Sequence, residues 1–324
     1  MDYPNDGVIL KVENLKTYYK TKAGYVKAVD GVSLYVPSQA VVGIAGESGS
    51  GKSTLVNAVF KVLPRYAEVK EGRIIYSGKD LTQMDEETFN RTIRWKEISW
   101  IPQVSMDALD PVFKVKDQML ETILTHEDLS KAEAMERIYG ILKAVNLGPE
   151  VLEKYPHELS GGQKQRVVIA MALLLNPKLV IADEPTTALD VIVQAQIMEI
   201  LRRLKAERNL SMIFISHDLA LLSAISDYIA IMYAGKIVEF GKVEEVLKSP
   251  LHPYTQALLE AIPDIRNRGK RLKSIPGTPP DLLNPPPGCR FSPRCPFVMD
   301  VCKTKEPELV KVTATHYVAC HLRR

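Results

Sequence analysis

The first 288 residues of this 324-residue chain contain no cysteine. All four, Cys289, Cys295, Cys302 and Cys320, crowd towards the C-terminal end. A disulfide framework spread through the molecule is thereby excluded. Long apolar runs are also missing. The longest, residues 167–175, is bounded by Arg166 and Asn176, whereas a membrane-crossing helix needs roughly 20 apolar residues. No strong charge excess exists either: the net charge of +3 gives no sign of a nucleic-acid-binding field. The opening residues Met1, Asp2, Tyr3 and Pro4 lack a secretory pattern. The expectation is a cytosolic chain, in which disulfides are a poor use of four thiols. No internal repeat is visible.

What is present is an alternation of short apolar runs with helical spacing, the pattern of an α/β fold. The run AVVGIAG (40–46) reads as a buried strand entering a glycine-rich turn. Leu55, Val56, Val59, Phe60 and Leu63 follow at helical spacing, so a helix leaves that turn. KLVIAD (178–183), SMIFIS (211–216) and YIAIMY (228–233) read as further buried strands. Between the first two, Val193, Ile197, Ile200, Leu201 and Leu204 share one helical face. Residues 111–147 read as wholly helical, with Ser130 and Glu133 spaced as a capping box. After residue 262 proline and glycine dominate, which predicts irregular structure. From Asp264 onward twelve basic residues face five acidic ones, so the tail carries +7 and the rest −4. That excess reads as a solvated or anion-facing surface.

Three motifs carry chemistry. GESGSGKS (46–53) fits G-x-x-x-x-G-K-[ST], in which glycines let backbone amides curl around phosphate. Gly46, Ser48, Gly49, Ser50, Gly51 and Thr54 are expected to line it, with Lys52 reaching the β- and γ-phosphates and Ser53 binding Mg²⁺. LVIADE (179–184) is an apolar strand ending in two carboxylates. Asp183 is placed to hold Mg²⁺ through water, and Glu184 to orient and deprotonate an attacking water. LSGGQ (159–163) precedes a helical run beginning near Lys164, so Ser160, Gly161 and Gly162 would present amides at a helix N-terminus. A chance match to those five residues is rarer than roughly one chain in a thousand. Two phosphate-binding surfaces in one chain suggest that each serves a different nucleotide.

With these motifs in this order, residues 8–262 resemble an ATP-binding cassette (ABC) ATPase. The resemblance implies a RecA-like phosphate-loop core, an antiparallel β subdomain and an inserted helical subdomain at about 104–162. It implies two cassettes paired head to tail, each ATP held between one phosphate loop and the other's signature (Ser160, Gly161, Gly162, Gln163). Gln103 in IPQ matches the glutamine that senses Mg²⁺ and the γ-phosphate and faces the membrane subunit. Asp190 in TALD matches the loop that crosses to the partner, and His217 in ISHD the switch histidine. Tyr19 sits where the family stacks an aromatic on adenine, ahead of Tyr18 and Tyr25. Glu184 and His217 are both present, so this chain's own site is expected to turn over.

The tail resembles the C-terminal extension of the oligopeptide/dipeptide importer ATPases, in SPLHPYTQALLEAIP (249–263) and PGTPPDLLNPPPGCRFSPRCPFVMDVC (276–302). Residues 167–197 are similar to the first of the two unlike ATPases such importers carry. The cysteine spacing, C-x5-C-x6-C-x17-C, lacks the close pairs of structural zinc sites. Four thiolates on a loop-rich segment can hold a 4Fe–4S cluster, and Cys295-Pro296 echoes ferredoxin-like loops. The resemblance implies such a cluster; zinc and free or oxidised thiols remain alternatives. A structural role is favoured, since ATP hydrolysis needs no redox step and a segment with little apolar content gains from a metal.

The expectation is therefore residues 1–262 as the ABC ATPase and 263–324 as the extension. Together they form the energising subunit of an importer for peptides, with oligosaccharide or nickel as alternative cargo. Implied partners are a second, unlike ATPase subunit, two transmembrane permeases and, indirectly, an extracellular solute-binding protein. The implied place is the cytoplasmic face of the membrane. A soluble ABC ATPase working on nucleic acid or in translation is the competing reading. The phosphate loop and signature lie too close for the long coiled coil of repair ATPases, and translation factors carry two cassettes. A phosphate-loop kinase is opposed by LSGGQ and His217.

Overall fold

The computed structural model describes residues 7–103, 108–261 and 275–323. The expected boundaries near 104 and at 262–263, and Met1 to Pro4, lie outside the described residues. The chain divides into two compact units, one from Met1–Thr82 with Ile215–Arg324, the other Gln83–Phe214.

The first unit opens with long strands β1 (Val8–Thr21) and β2 (Gly24–Pro37), then β3 (Val41–Ala45), α1 (Lys52–Val59), β4 (Ala67–Tyr76) and β5 (Lys79–Asp80). β1 pairs antiparallel with both β2 and β4, giving a four-stranded sheet in the order β2-β1-β4-β5. The second unit contains α2 (Glu86–Thr92), β6 (Ile98–Ile101), α3 (Val115–His126), α4 (Lys131–Ala144), α5 (Gly161–Leu173), β7 (Leu179–Asp183) and α6 (Val191–Arg208), ending in β8 (Ser211–Ile215). β6 and β7 run parallel and every residue of β7 is buried, as strands covered on both faces must be. The expected helical stretch is α3 and α4, joined by four residues. Ser130 accepts from the Glu133 amide while the Glu133 carboxylate accepts from the Ser130 amide, a complete capping box.

The chain returns to the first unit with α7 (Leu219–Ile225), β9 (Tyr228–Tyr233), β10 (Lys236–Lys242), α8 (Val243–Lys248) and α9 (Pro253–Glu260). β9 lies parallel to the buried β3 and antiparallel to β10. The tail adds α10 (Asp300–Thr304) and two-residue strands β11 (Val310–Lys311) and β12 (Tyr317–Val318). β12 pairs with β10 and β11 with β12, so the tail extends this sheet. The short strands were not foreseen.

Nor is the tail simply solvated. Phe291 is 1% exposed and packs edge-on to Tyr233 and against Tyr254, with centroids 5.2 and 5.4 Å away. Fully burying a side chain of this size is worth roughly 1.5–3 kcal/mol. Glu239 on β10 is wholly buried, yet it accepts from the amides of Leu251 and His252 and pairs with His316. A buried carboxylate is tolerated only with such a set of partners.

Candidate functional site

The phosphate loop is shaped by its glycines and by what presses on them. Gly51 caps α1 at φ 101°, and a β-carbon there would stand 2.1 Å from the Ala28 carbonyl oxygen. A β-carbon on Gly46 would stand 2.1 Å from the Met232 carbonyl oxygen. Only glycine fits either place. The Ser50 carbonyl accepts from the Gly235 amide at 2.8 Å, tying the loop to the β9–β10 turn. Lys52 is buried and its ammonium donates to the carbonyl oxygens of Gly46 and Glu47, both at 2.9 Å, and to Ser50 Oγ at 3.3 Å. Ser48 and Gly49 are exposed at the loop's crest. No side chain caps α1, and a helix N-terminus without such a cap has first amides to offer an anion.

The three candidate tyrosines separate cleanly. The Tyr19 hydroxyl shares a 3.0 Å hydrogen bond with Thr54 Oγ1 on α1, and its ring lies 5.9 Å from that of Tyr66. Tyr18 donates to Asp30 at 2.6 Å, and Tyr25 lies under Lys70. Only Tyr19 among them is held to the helix carrying Lys52 and Ser53. His217 is exposed in the turn after Ile215. The Ser216 amide beside it donates to the Ile44 carbonyl on β3, and Asp218 caps α7.

In the second unit, Asp183 is 2% exposed at the end of β7. Glu184 follows in left-handed backbone, φ 47°, a conformation L residues adopt at a cost of order 1–3 kcal/mol. Its carboxylate accepts from Gln103 Nε2 at 3.0 Å and from Thr187 Oγ1 at 3.1 Å. The structure thus joins two residues that were picked out separately, and adds Thr187. Asp190 caps α6 through the Val193 amide. The signature helix begins at Gly161, three residues before the expected Lys164. Ser160 is its cap: Ser160 Oγ accepts from the Gln163 amide and the Gln163 side chain from the Ser160 amide. The paired glycines disguised this first turn. A β-carbon on Gly162 would meet a methyl of Val193 at 2.8 Å, so the signature and the start of α6 pack closely.

The cysteines are all unbridged. The Cys289 amide donates to the Cys302 carbonyl at 2.8 Å, an approach permitted by Gly288, where a β-carbon would meet that same oxygen at 2.3 Å. Burial pushes the Cys289 thiol up to about 11, and the charges of Cys302, Cys320 and Cys295 add to the rise. Burial likewise raises Cys295 and Cys320, with neighbouring cysteines contributing. The four therefore share one neighbourhood. Among the described residues, however, no three or more cysteines, histidines or carboxylates stand in the arrangement of a metal-ion site.

Sequence reasoning missed the arginines beside these cysteines. Arg290 and Arg294 are 6% and 7% exposed, where the tail's charge had been expected on a solvated surface. Arg290 donates to Asp30, the acceptor of Tyr18, and to the Ala234 carbonyl. Arg294 grips the Glu47 carboxylate with both terminal nitrogens, at 2.7 and 3.0 Å. His252, capping α9, accepts from the Tyr254 amide, and the Tyr254 hydroxyl accepts from the Glu47 amide at 2.9 Å. The HPY triplet is thus a device that brings a phenol to the phosphate loop. Glu47 occupies a variable position of the loop pattern, so no local signal marked it.

Comparison with known proteins agrees with these elements. The profile of the ABC transporter family matches residues 29–187, and that of the oligopeptide/dipeptide transporter C-terminal region matches 238–302. The dipeptide transport ATP-binding protein DppD of Caldanaerobacter subterraneus subsp. tengcongensis is 44% identical over 317 residues, 97% of each chain. The chain belongs to the ABC transporter ATP-binding family of the oligopeptide/dipeptide type. The oligopeptide transport ATP-binding protein OppD of Bacillus subtilis is 45% identical over 314 residues, 96% of this chain and 87% of that protein. Among solved structures, the ATP-binding cassette MJ0796, a dimer in a post-hydrolysis state bound to ADP and Pi, aligns with TM-score 0.65 at 28% identity. That match covers 72% of this chain and 99% of MJ0796. CbiO1 of Clostridium perfringens gives the same score and identity over 75% and 92%. The ABC ATPase fold expected from the motifs is thereby established, and with it ATP and Mg²⁺ as what such a subunit uses. ATPases of this type work with transmembrane permeases. Among the described residues no helix is long and apolar enough to cross a membrane.

Proposed function

We propose that this chain hydrolyses Mg·ATP to drive peptide uptake, paired with a second, unlike cassette and docked on two permeases at the cytoplasmic face of a membrane. The peptide cargo rests on the relatives, which are named for dipeptide and oligopeptide transport. The chemistry rests on one observation: a carboxylate, Glu184, held in strained backbone by Gln103 and Thr187 directly after the buried Asp183. That arrangement fixes a general base in place before substrate arrives. Glu184 takes the proton of the attacking water; Lys52 and His217 stabilise charge growing on the γ-phosphate. Gly46, Ser48, Gly49, Ser50, Gly51 and Thr54 cradle the phosphates and Tyr19 stacks on adenine. Ser160, Gly161, Gly162, Gln163 and Asp190 serve the partner's nucleotide. Ser53, Gln103 and Asp183 would hold Mg²⁺, which would supply neutralisation of the phosphate charge. Glu184→Gln is expected to lower turnover by about 10²–10⁴-fold while ATP binding persists. Turnover within twofold of the parent would remove Glu184 from the role.

In the tail, Cys289, Cys295, Cys302 and Cys320 on a loop-rich segment, with a spacing that lacks the close pairs of structural zinc sites, support a 4Fe–4S group over zinc. Such a group would cross-link a loop-rich segment. Iron, acid-labile sulfide and zinc measured after anaerobic purification decide it: about four irons and four sulfides per chain support the cubane, and zinc alone overturns it.

A further inference from the structure

Glu47 is the second residue of the phosphate loop, and its polar groups are engaged from two directions. Its carbonyl oxygen accepts from the Lys52 ammonium at 2.9 Å, inside the loop. Its amide and its carboxylate are both taken by the C-terminal region, the amide by Tyr254 and the carboxylate, bidentately, by Arg294. Arg294 has almost no freedom of its own. Its side chain is 4% exposed, Nε donates to the Pro276 carbonyl at 2.7 Å, and Nη1 also reaches the Tyr233 hydroxyl at 3.3 Å. A planar fork with its donors committed to fixed acceptors holds a carboxylate in one place and orientation. Arg294 is also the residue before Cys295, at the end of the short turn Ser292–Arg294. A second arginine repeats the arrangement on the adenine side: Arg290, next to Cys289, grips Asp30, which also holds Tyr18 beside Tyr19.

We propose that Arg294 is a positioning residue for ATP binding: through the Glu47 carboxylate it fixes the backbone from which Lys52 and the loop amides meet the phosphates, so that the cysteine loop and the nucleotide are linked. This rests on the reading of residues 46–54 as the ATP phosphate cradle. Gripping Glu47 from outside leaves the crest of the loop to the ligand and removes the freedom of its second residue. Ordering that precedes binding need not be supplied by ATP, so affinity rises without any new contact to it. Linkage runs both ways: whatever orders the cysteine loop tightens ATP, and ATP in turn orders the cysteine loop.

The test uses the full chain, purified anaerobically, with ATP as the probe and its dissociation constant, melting temperature and amide exchange over residues 46–51 as readouts. Arg294→Lys keeps the charge but loses the fork; Glu47→Gln keeps the shape and leaves the buried arginine in place, so one of the pair survives if the other fails to fold. Each is expected to weaken ATP binding by about tenfold, the double variant no further than the worse single, as members of one interaction behave. Exchange over 46–51 rises in each. If both variants melt lower but bind ATP within twofold of the parent, the pair is a structural clasp only and the proposal fails. Lys52→Ala separates the two ideas. If it abolishes binding while Glu47→Gln does not change it, the positioning role alone is overturned; if it too leaves binding intact, the cradle reading falls with it.

Discussion

The phosphate loop and the signature look alike as strings: glycines and serines ahead of a helix. They are built by opposite means. The signature is finished locally, Ser160 and Gln163 exchanging hydrogen bonds across one turn. The phosphate loop has no side-chain cap and takes its shape from distant backbone and side chains: Ala28, Met232 and Gly235 beneath it, Tyr254 and Arg294 beside it. A loop that closes its own hydrogen bonds is robust but has fewer amides to offer. A loop shaped from outside keeps its amides for a ligand and inherits every disturbance of its surroundings.

Five changes separate these modes, led by the glycine pair whose contrast is largest. Gly51→Ala places a β-carbon on a backbone oxygen at positive φ, and is expected to cost about 3–5 kcal/mol and to abolish ATP binding. Gly162→Ala meets only a valine methyl and should cost about 1 kcal/mol. Equal losses of melting temperature in the two would erase the contrast. Acid comes next. Burial lowers His252 to about 4, opposed by the Glu239 charge, against about 6.5 in the unfolded chain. The unfolded chain protonates first, so stabilisation is whole above about pH 6.5 and wanes by about 3 kcal/mol as pH falls to about 4. His252→Asn keeps a cap acceptor without titrating. Melting temperature across this window should fall less steeply in that variant, and an unchanged slope would acquit His252. Tyr254→Phe strips the acceptor from the Glu47 amide, for about 2 kcal/mol. Amide exchange should quicken over residues 46–51 and stay unaltered over 160–165. Ser160→Ala removes only a helix cap, about 1 kcal/mol, with the reverse pattern of exchange.

The same contrast governs how much could be read in advance. β3, β7, β8 and β9 were legible because four or more consecutive apolar residues bounded by turns leave little else to be. The capping box at Ser130 was legible because its partners are three residues apart. Asp183, Glu184 and Lys52 announced themselves by local spacing, whereas Gln103 was marked only by the family resemblance. The signature helix was placed late because glycine pairs argue against a helix, and only the Ser160–Gln163 exchange overrides them. Arg290, Arg294, Asp30 and Glu47 were invisible for a different reason. Glu47 and Arg294 are 247 positions apart, and nothing in a run of basic residues tells a buried, bidentate arginine from one in water. Tyr254 was marked by its motif, but its hydrogen bond belongs to the tertiary fold.

The pairing of β12 with β10 carries a consequence for solubility. Without the tail, β10 would present a free row of amides and carbonyls along a strand of buried, β-branched and aromatic residues, the kind of border on which another chain can lay itself. The two-residue strands that cover it are too short to serve as templates themselves. A chain cut before β11 is therefore expected to associate edge to edge, so what the extension contributes is better probed by point changes than by removing it.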